Sequence, residues 1–132
     1  MTELLEALGG KQDFSVFIGT GPLMGQGLLL GAAGIVPSAG NLAPALCRQL
    51  FDSALRGDAA GTEMLHKQLM KVSSIYQQGR DLAQSIAALK AAMSCLGLCG
   101  PDTLPPLNPV GPAEIFLLRE QLDLQGFPVA NS

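Results

Sequence analysis

Two glycine-rich turns hold the residues of this sequence whose types and spacing best suit ligand binding. They are Gly19-Thr20-Gly21 and Ser38-Ala39-Gly40-Asn41, and each follows a short apolar run and precedes a helical segment. Backbone N–H groups in such turns are unobstructed by side chains, and a helix N-terminus adds positive partial charge. Two adjacent turns could therefore hold a small anion such as phosphate or a carboxylate. The glycines could equally serve turn geometry alone, and both interpretations stay open.

The first turn lies where a dinucleotide-binding fingerprint would lie, between a strand and a helix. That fingerprint needs glycine at its sixth position and an acidic residue at the end of the following strand. The sixth position is Met24, the following strand ends in Val36, Pro37 and Ser38, and the next acid is Asp52. The sequence therefore predicts no nicotinamide or flavin site.

Three cysteines and one histidine are the residues to consider as metal ligands. Cys95 and Cys99 are four residues apart and would share a helix face, but two thiols with the distant His66 do not complete a tetrahedral site. We interpret Cys47, Cys95 and Cys99 as small hydrophobic residues. Their odd number, and an acidic start without a secretory signal, predict reduced thiols and a cytoplasmic protein.

Charge and hydropathy argue against two classes of partner. The net charge is -3, and the eight Lys and Arg residues are scattered, whereas nucleic-acid binding needs a clustered basic face. The apolar segment from Leu23 to Val36 is about 14 residues long and contains four glycines, which is short of the roughly 20 residues that span a membrane. With 48% hydrophobic and 14% charged residues, the chain must bury much apolar surface or associate.

A strand, a helix and a second strand are expected to position the two turns. The apolar runs Phe14–Ile18 and Gly34–Pro37 predict parallel strands that are covered on both faces. The segment from Pro22 to Leu30 predicts the helix between them, since proline is tolerated in a first helical turn. Together they predict a right-handed βαβ unit.

The remainder of the sequence has helical periodicity. An opening helix is predicted over 2–8 and a longer one over 42–56. Asp58 is expected to cap the next helix, and a proline-rich connector over 101–109 leads to a last helix that begins at Pro112. The stripes that predict the buried helix faces are Leu46, Leu50 and Ala54; Leu65, Leu69, Val72 and Tyr76; Leu82, Ile86, Leu89, Met93 and Leu96; and Ile115, Leu118 and Leu122.

Three segments carry a resemblance to a known family. They are FSVFIGTG over 14–21, LGAAGIVPSAGNL over 30–42 and LKAAMSCLG over 89–97. In order and spacing they resemble the dihydrodipicolinate synthase and N-acetylneuraminate lyase family. The resemblance implies an eight-stranded α/β barrel with a C-terminal helical domain. It also implies class I aldolase chemistry without a cofactor, in which a lysine forms a Schiff base with pyruvate or another 2-oxo acid.

The resemblance sets what part of that architecture the chain would supply. A closed barrel takes about 250 residues, and this chain has 132. Residues 1–56 are therefore expected to form an α/β partial TIM barrel that consists of its last two parallel βα units. Residues 57–132 are expected to form a C-terminal helical domain. The imine-forming lysine and the proton-relaying tyrosine would precede residue 1. Among the lysines of this chain, Lys11 falls in a turn and the others fall on helices, so none is suited to the role.

By the same resemblance, Gly19, Val36 and Ser38 would line the 2-oxo acid site once the barrel is completed. The expected function is that of a class I aldolase or lyase fragment, inactive alone, with the identity of the 2-oxo acid left open. The alternative is a non-catalytic helical association module. Two strands taken from a barrel leave unpaired edges, which predicts a homo-oligomer or association with a complementary barrel fragment.

Overall fold

The computed structural model describes Glu3 and residues 14–130 of the chain. Apart from Glu3, the predicted opening helix over 2–8 lies outside the residues described, and so does Lys11. The chain forms two compact units, residues 1–71 and residues 72–132.

The fold is mostly helical with one two-stranded parallel sheet. Its elements are β1 (Phe17–Ile18), α1 (Met24–Leu29), β2 (Gly34–Ile35), α2 (Pro44–Leu55), α3 (Ala59–Gln77), α4 (Leu82–Cys95) and α5 (Pro112–Leu124), with short 3-10 turns at Gly21–Leu23 and Ser38–Asn41.

The predicted βαβ unit is present, with strands shorter than the apolar runs that indicated them. β1 and β2 are parallel, and Ile18 pairs with Ile35. Two further hydrogen bonds extend the pairing: the N–H of Ala33 donates to the carbonyl of Val16 at 2.8 Å, and that of Val36 donates to the carbonyl of Ile18 at 2.9 Å. The α1 segment lies between the strands in sequence and packs against both.

One face of this sheet is covered and the other is exposed. Ile18 is 8% exposed, whereas Phe17 is 59% and Val36 is 66% exposed. Successive side chains along a strand point to opposite faces, so Phe17 and Val36 share the face away from Ile18. The expectation that both faces are covered is wrong for the described residues, because α1 packs on the strands and the Phe17 side lies open.

Gly34 is required by the close pairing with Phe17. A Cβ at Gly34 would lie 2.8 Å from the Phe17 ring, closer than side-chain carbons approach. The aromatic ring therefore lies over the glycine.

The junction between α2 and α3 follows the sequence signals. Gly57 takes a positive φ of 71° directly after α2, and the carboxylate of Asp58 accepts a hydrogen bond from the N–H of Gly61 at 2.9 Å. The hydroxyl of Ser53 also donates to this carboxylate, at 3.3 Å. Leu50, Leu69 and Tyr76 are almost completely buried, as the stripes predicted.

The predicted buried face of α4 is wrong at Leu82 and Ile86 and confirmed at Leu89, and that of α5 is confirmed at Leu118 and Leu122. Leu82 is 78% and Ile86 is 44% exposed, while Leu118 and Leu122 of α5 are buried. The buried positions of α4 are instead mostly small: Ser85, Ala87, Ala88, Leu89, Ala91, Ala92 and Cys95. Short side chains let the backbones of α4 and α5 approach closely, and α5 packs on this helix.

No helix of residues 14–130 is both long and apolar enough to cross a membrane.

The cap of α3 gives a first test. Replacing Asp58 with alanine removes the acceptor for the Gly61 N–H, and we expect a loss of about 1 kcal/mol in the free energy of unfolding. Asp58→Asn keeps an acceptor and should retain most of it. Chemical denaturation followed by circular dichroism measures both, and equal losses in the two variants would contradict the capping role.

The small-residue face of α4 gives a second test. Ala88 is 0% exposed, so Ala88→Leu should destabilise the chain by about 1 to 3 kcal/mol through overpacking. The matched variant Leu82→Ala, on the exposed side of the same helix, should change stability by less than about 0.5 kcal/mol. Thermal unfolding measures both variants. A larger loss of stability in Leu82→Ala than in Ala88→Leu would instead support the buried face predicted from the large apolar residues.

Candidate functional site

The carboxyl ends of β1 and β2 lie side by side. Ile18 pairs with Ile35. Gly19 directly follows Ile18, and Val36 directly follows Ile35. The hydrogen bond from Val36 N–H to the Ile18 carbonyl, 2.9 Å long, joins the two ends. Ligands of parallel α/β sheets bind at the carboxyl ends of the strands, so this edge is the candidate site.

The turn after β1 is open at Gly19. A Cβ built at Gly19 would meet no atom within 4 Å, and both Gly19 and Thr20 are exposed. The turn closes through the N–H of Leu23, which donates to the Thr20 carbonyl at 3.0 Å. A ligand atom can therefore approach the backbone here without displacing a side chain.

The turn after β2 carries Ser38 and is held by bonds within itself. The N–H of Gly40 donates to the Pro37 carbonyl at 3.1 Å, and the side-chain amide of Asn41 donates to the Ser38 carbonyl at 3.0 Å. Ser38 is exposed. Of the three predicted site residues, the strand pairing brings Gly19 and Val36 together, and Ser38 follows on the β2 side.

At both turns a 3-10 turn precedes the α-helix. The first turn leads into a 3-10 turn and then α1, which has six residues. The second leads into another 3-10 turn, and α2 begins beyond it at Pro44. Gly19, Gly21 and Gly40 do not take a positive φ, so the backbone conformation of these turns does not by itself require glycine.

His66 is a feature of the site that the sequence analysis missed. Its ring Nε2–H donates to the carbonyl of Gly21 at 2.8 Å, across 45 residues of sequence. In the sequence this histidine is considered only as a metal ligand, and that role is rejected; no local signal relates it to the turn. A pairing at this separation is set by how α3 packs.

Comparisons with known proteins identify the family of the chain. The sequence model of the dihydrodipicolinate synthetase family matches residues 2–122. The chain belongs to this family. It is 28% identical over 131 residues to the 4-hydroxy-tetrahydrodipicolinate synthase of Aquifex aeolicus, and this match covers 99% of the chain and 42% of that enzyme.

Solved structures of dihydrodipicolinate synthase family members share its fold. The dihydrodipicolinate synthase of Bacteroides thetaiotaomicron is 28% identical, with a TM-score of 0.83 over 92% of this chain and 41% of that one. YagE, a prophage protein of this family from E. coli K12 in complex with pyruvate, is 26% identical, with a TM-score of 0.73 over 90% and 39%. The chain thus spans about 40% of the length of these relatives.

Every lysine within residues 14–130 lies on a helix. Lys67 and Lys71 lie on α3 and Lys90 lies on α4. Lys67 Nζ is 2.6 Å from the carboxylate of Glu63, both side chains are exposed, and the hydrogen bond and charge of Lys67 lower the pKa of Glu63. No lysine within residues 14–130 lies at the strand ends. Tyr76 is 1% exposed and belongs to the core, as predicted.

The three thiols differ in exposure. Cys95 is buried, Cys99 is exposed and Cys47 is half-buried. Cys47 lies behind the second turn, where its sulfur would be 3.8 Å from a Cβ at Gly40. Burial raises the pKa of the Cys47 thiol, against a smaller lowering by a backbone hydrogen bond. Within the part of the chain that the structure describes, no three His, Cys, Asp or Glu residues group as metal ligands.

Thiol alkylation tests this ordering. Because a raised pKa leaves less thiolate at neutral pH, iodoacetamide should modify Cys99 first, Cys47 more slowly and Cys95 after unfolding. The rate at Cys47 should level off at a higher pH than that of an unburied thiol, because burial raises its pKa. Peptide mass spectrometry reads each site, with Cys47→Ser as control. Faster labelling of Cys47 than of Cys99 at neutral pH would contradict the burial of Cys47.

Proposed function

We propose that this chain forms one wall of the 2-oxo acid site of a class I aldolase or lyase. The observation that carries the proposal is the pair of open strand ends, where Gly19 and Val36 lie side by side and exposed. Gly19 leaves room for a ligand against the backbone, and Val36 and Ser38 supply an apolar surface and a hydroxyl beside it. The pyruvate complex of YagE supports a 2-oxo acid as the ligand class.

The architecture proposed for the chain is the last two βα units of a (β/α)8 barrel over 1–56, followed by a helical domain over 57–132. The parallel pairing of β1 with β2 and the intervening α1 are typical of such units. The chain's span of 42% of the Aquifex relative is compatible with part of a barrel. The exposed face with Phe17 and Val36 is the side that further strands would cover.

The imine-forming lysine is proposed to come from a polypeptide that carries the remaining strands. A Schiff-base lysine must be held neutral in a desolvated position, whereas Lys67 is exposed and ion-paired on a helix. The complementary polypeptide would pair with the open edges of β1 and β2. On this proposal the chain alone forms no imine.

A chimera tests the proposal directly. In the Aquifex aeolicus relative, the segment matched by this chain is replaced by residues 1–132, and the product is treated with pyruvate and borohydride. Intact and peptide mass spectrometry should find reduced pyruvate on a lysine of the Aquifex portion. The isolated chain, treated in the same way, should carry none.

Substitution at the strand end sharpens the test. Val36→Glu places a carboxylate beside the expected 2-oxo acid carboxylate, and such repulsion near a surface costs on the order of 1 to 4 kcal/mol, so adduct formation should slow by about tenfold or more. Leu55→Glu is the matched control, since Leu55 is 69% exposed on α2, and should react like the parent.

Two results would overturn the proposal. One is a folded chimera that forms no adduct, which leaves the helical association module as the function. The other is an adduct on a lysine of this chain.

A further inference from the structure

His66 is held against the first turn by a hydrogen bond to Gly21. The Gly21 carbonyl accepts the His66 Nε2–H at 2.8 Å, and it also accepts the backbone N–H of Met24. A carbonyl oxygen has two lone pairs, so these two donors satisfy it. The bond ties the backbone after β1 to the middle of α3.

Two glycines let α3 lie close enough for this bond. A Cβ at Gly25 would lie 3.0 Å from the His66 ring atoms Cγ and Nδ1, and one at Gly21 would lie 3.6 Å from the sulfur of Met70. His66 and Met70 are four residues apart and share a face of the helix. The ring is therefore fixed on one side by the hydrogen bond and on another by the α1 backbone.

We propose that His66 is a positioning residue for the turn Gly19–Gly21. The inference rests on the proposed function, because Gly19 is the wall residue whose place the turn sets. Glycines lose more backbone freedom on folding than other residues, and this turn has two of them, closed internally by the bond from Leu23 to Thr20. A donor from α3 restricts the turn further, so that Gly19 is held in place before a ligand arrives. His66 acts through Gly21 and does not contact the ligand.

Paired variants separate this role from simple space filling. His66→Gln keeps an N–H donor at a comparable distance from the backbone, whereas His66→Leu keeps apolar bulk and has no donor. Met70→Leu alters the neighbouring contact on the same helix face and leaves the hydrogen bond in place.

Hydrogen exchange of the full chain, followed residue by residue by NMR, is the first measurement. In His66→Leu the amides of Leu23 and Met24 should exchange about five- to tenfold faster, the effect expected for loss of one hydrogen bond. The Ala33 amide, which reports on the sheet, should not change. His66→Gln and Met70→Leu should resemble the parent. Equal exchange in the Gln and Leu variants, or acceleration spread equally to Ala33, would overturn the proposal.

Kinetics in the chimera form the second measurement. His66→Leu should raise the pyruvate concentration for half-maximal imine formation severalfold, while the saturating rate stays near the parent's. In His66→Gln the half-maximal concentration should be close to the parent's. An unchanged half-maximal concentration in His66→Leu would overturn the positioning role. If the parent chimera forms no adduct, the proposed function fails, and the exchange comparison still decides whether His66 orders the turn.

Discussion

The parallel pairing of β1 and β2 is the interaction on which the candidate site depends. Each strand is two residues long, so a few backbone hydrogen bonds carry the register, and the one from Val36 to Ile18 lies at the site itself. A shift by one residue would turn every side chain to the opposite face. At Gly34 the absence of a side chain leaves room for the Phe17 ring, which a Cβ there would approach to 2.8 Å. The position of the site therefore depends on the register of two short strands.

Local signals were sufficient wherever neighbours in sequence are also neighbours in space. The βαβ order, the Asp58 cap and the stripe through Leu69 and Tyr76 could all be predicted, because turn residues, cap residues and helical periodicity act within a few positions. The family could be predicted as well, from the order and spacing of three segments, and the family model over residues 2–122 confirms it. The adjacency of Gly19 and Val36 followed from the expectation that the strands are parallel.

Features that depend on packing distance could not be predicted in the same way. Periodicity counts large apolar side chains, so it selected Leu82 and Ile86 for the buried face of α4, whereas the close approach of α5 buries alanines such as Ala88. The bond between His66 and Gly21 is a similar case. It spans 45 residues and depends on the absence of a side chain at Gly25, which is informative only once the position of α3 is known.

The exposed face of the sheet connects stability with function. Phe17 and Val36 are apolar and more than half exposed, and covering such surface stabilises an assembly by about 25 cal/mol for each Å² buried. Val36 also lies at the proposed ligand edge, so a polypeptide that covers this face would enclose the strand ends in the same step. On the proposed function, completing the sheet and forming the site are one event. Affinity for a 2-oxo acid would then be coupled to affinity for the covering polypeptide, because each would stabilise the closed arrangement that the other requires.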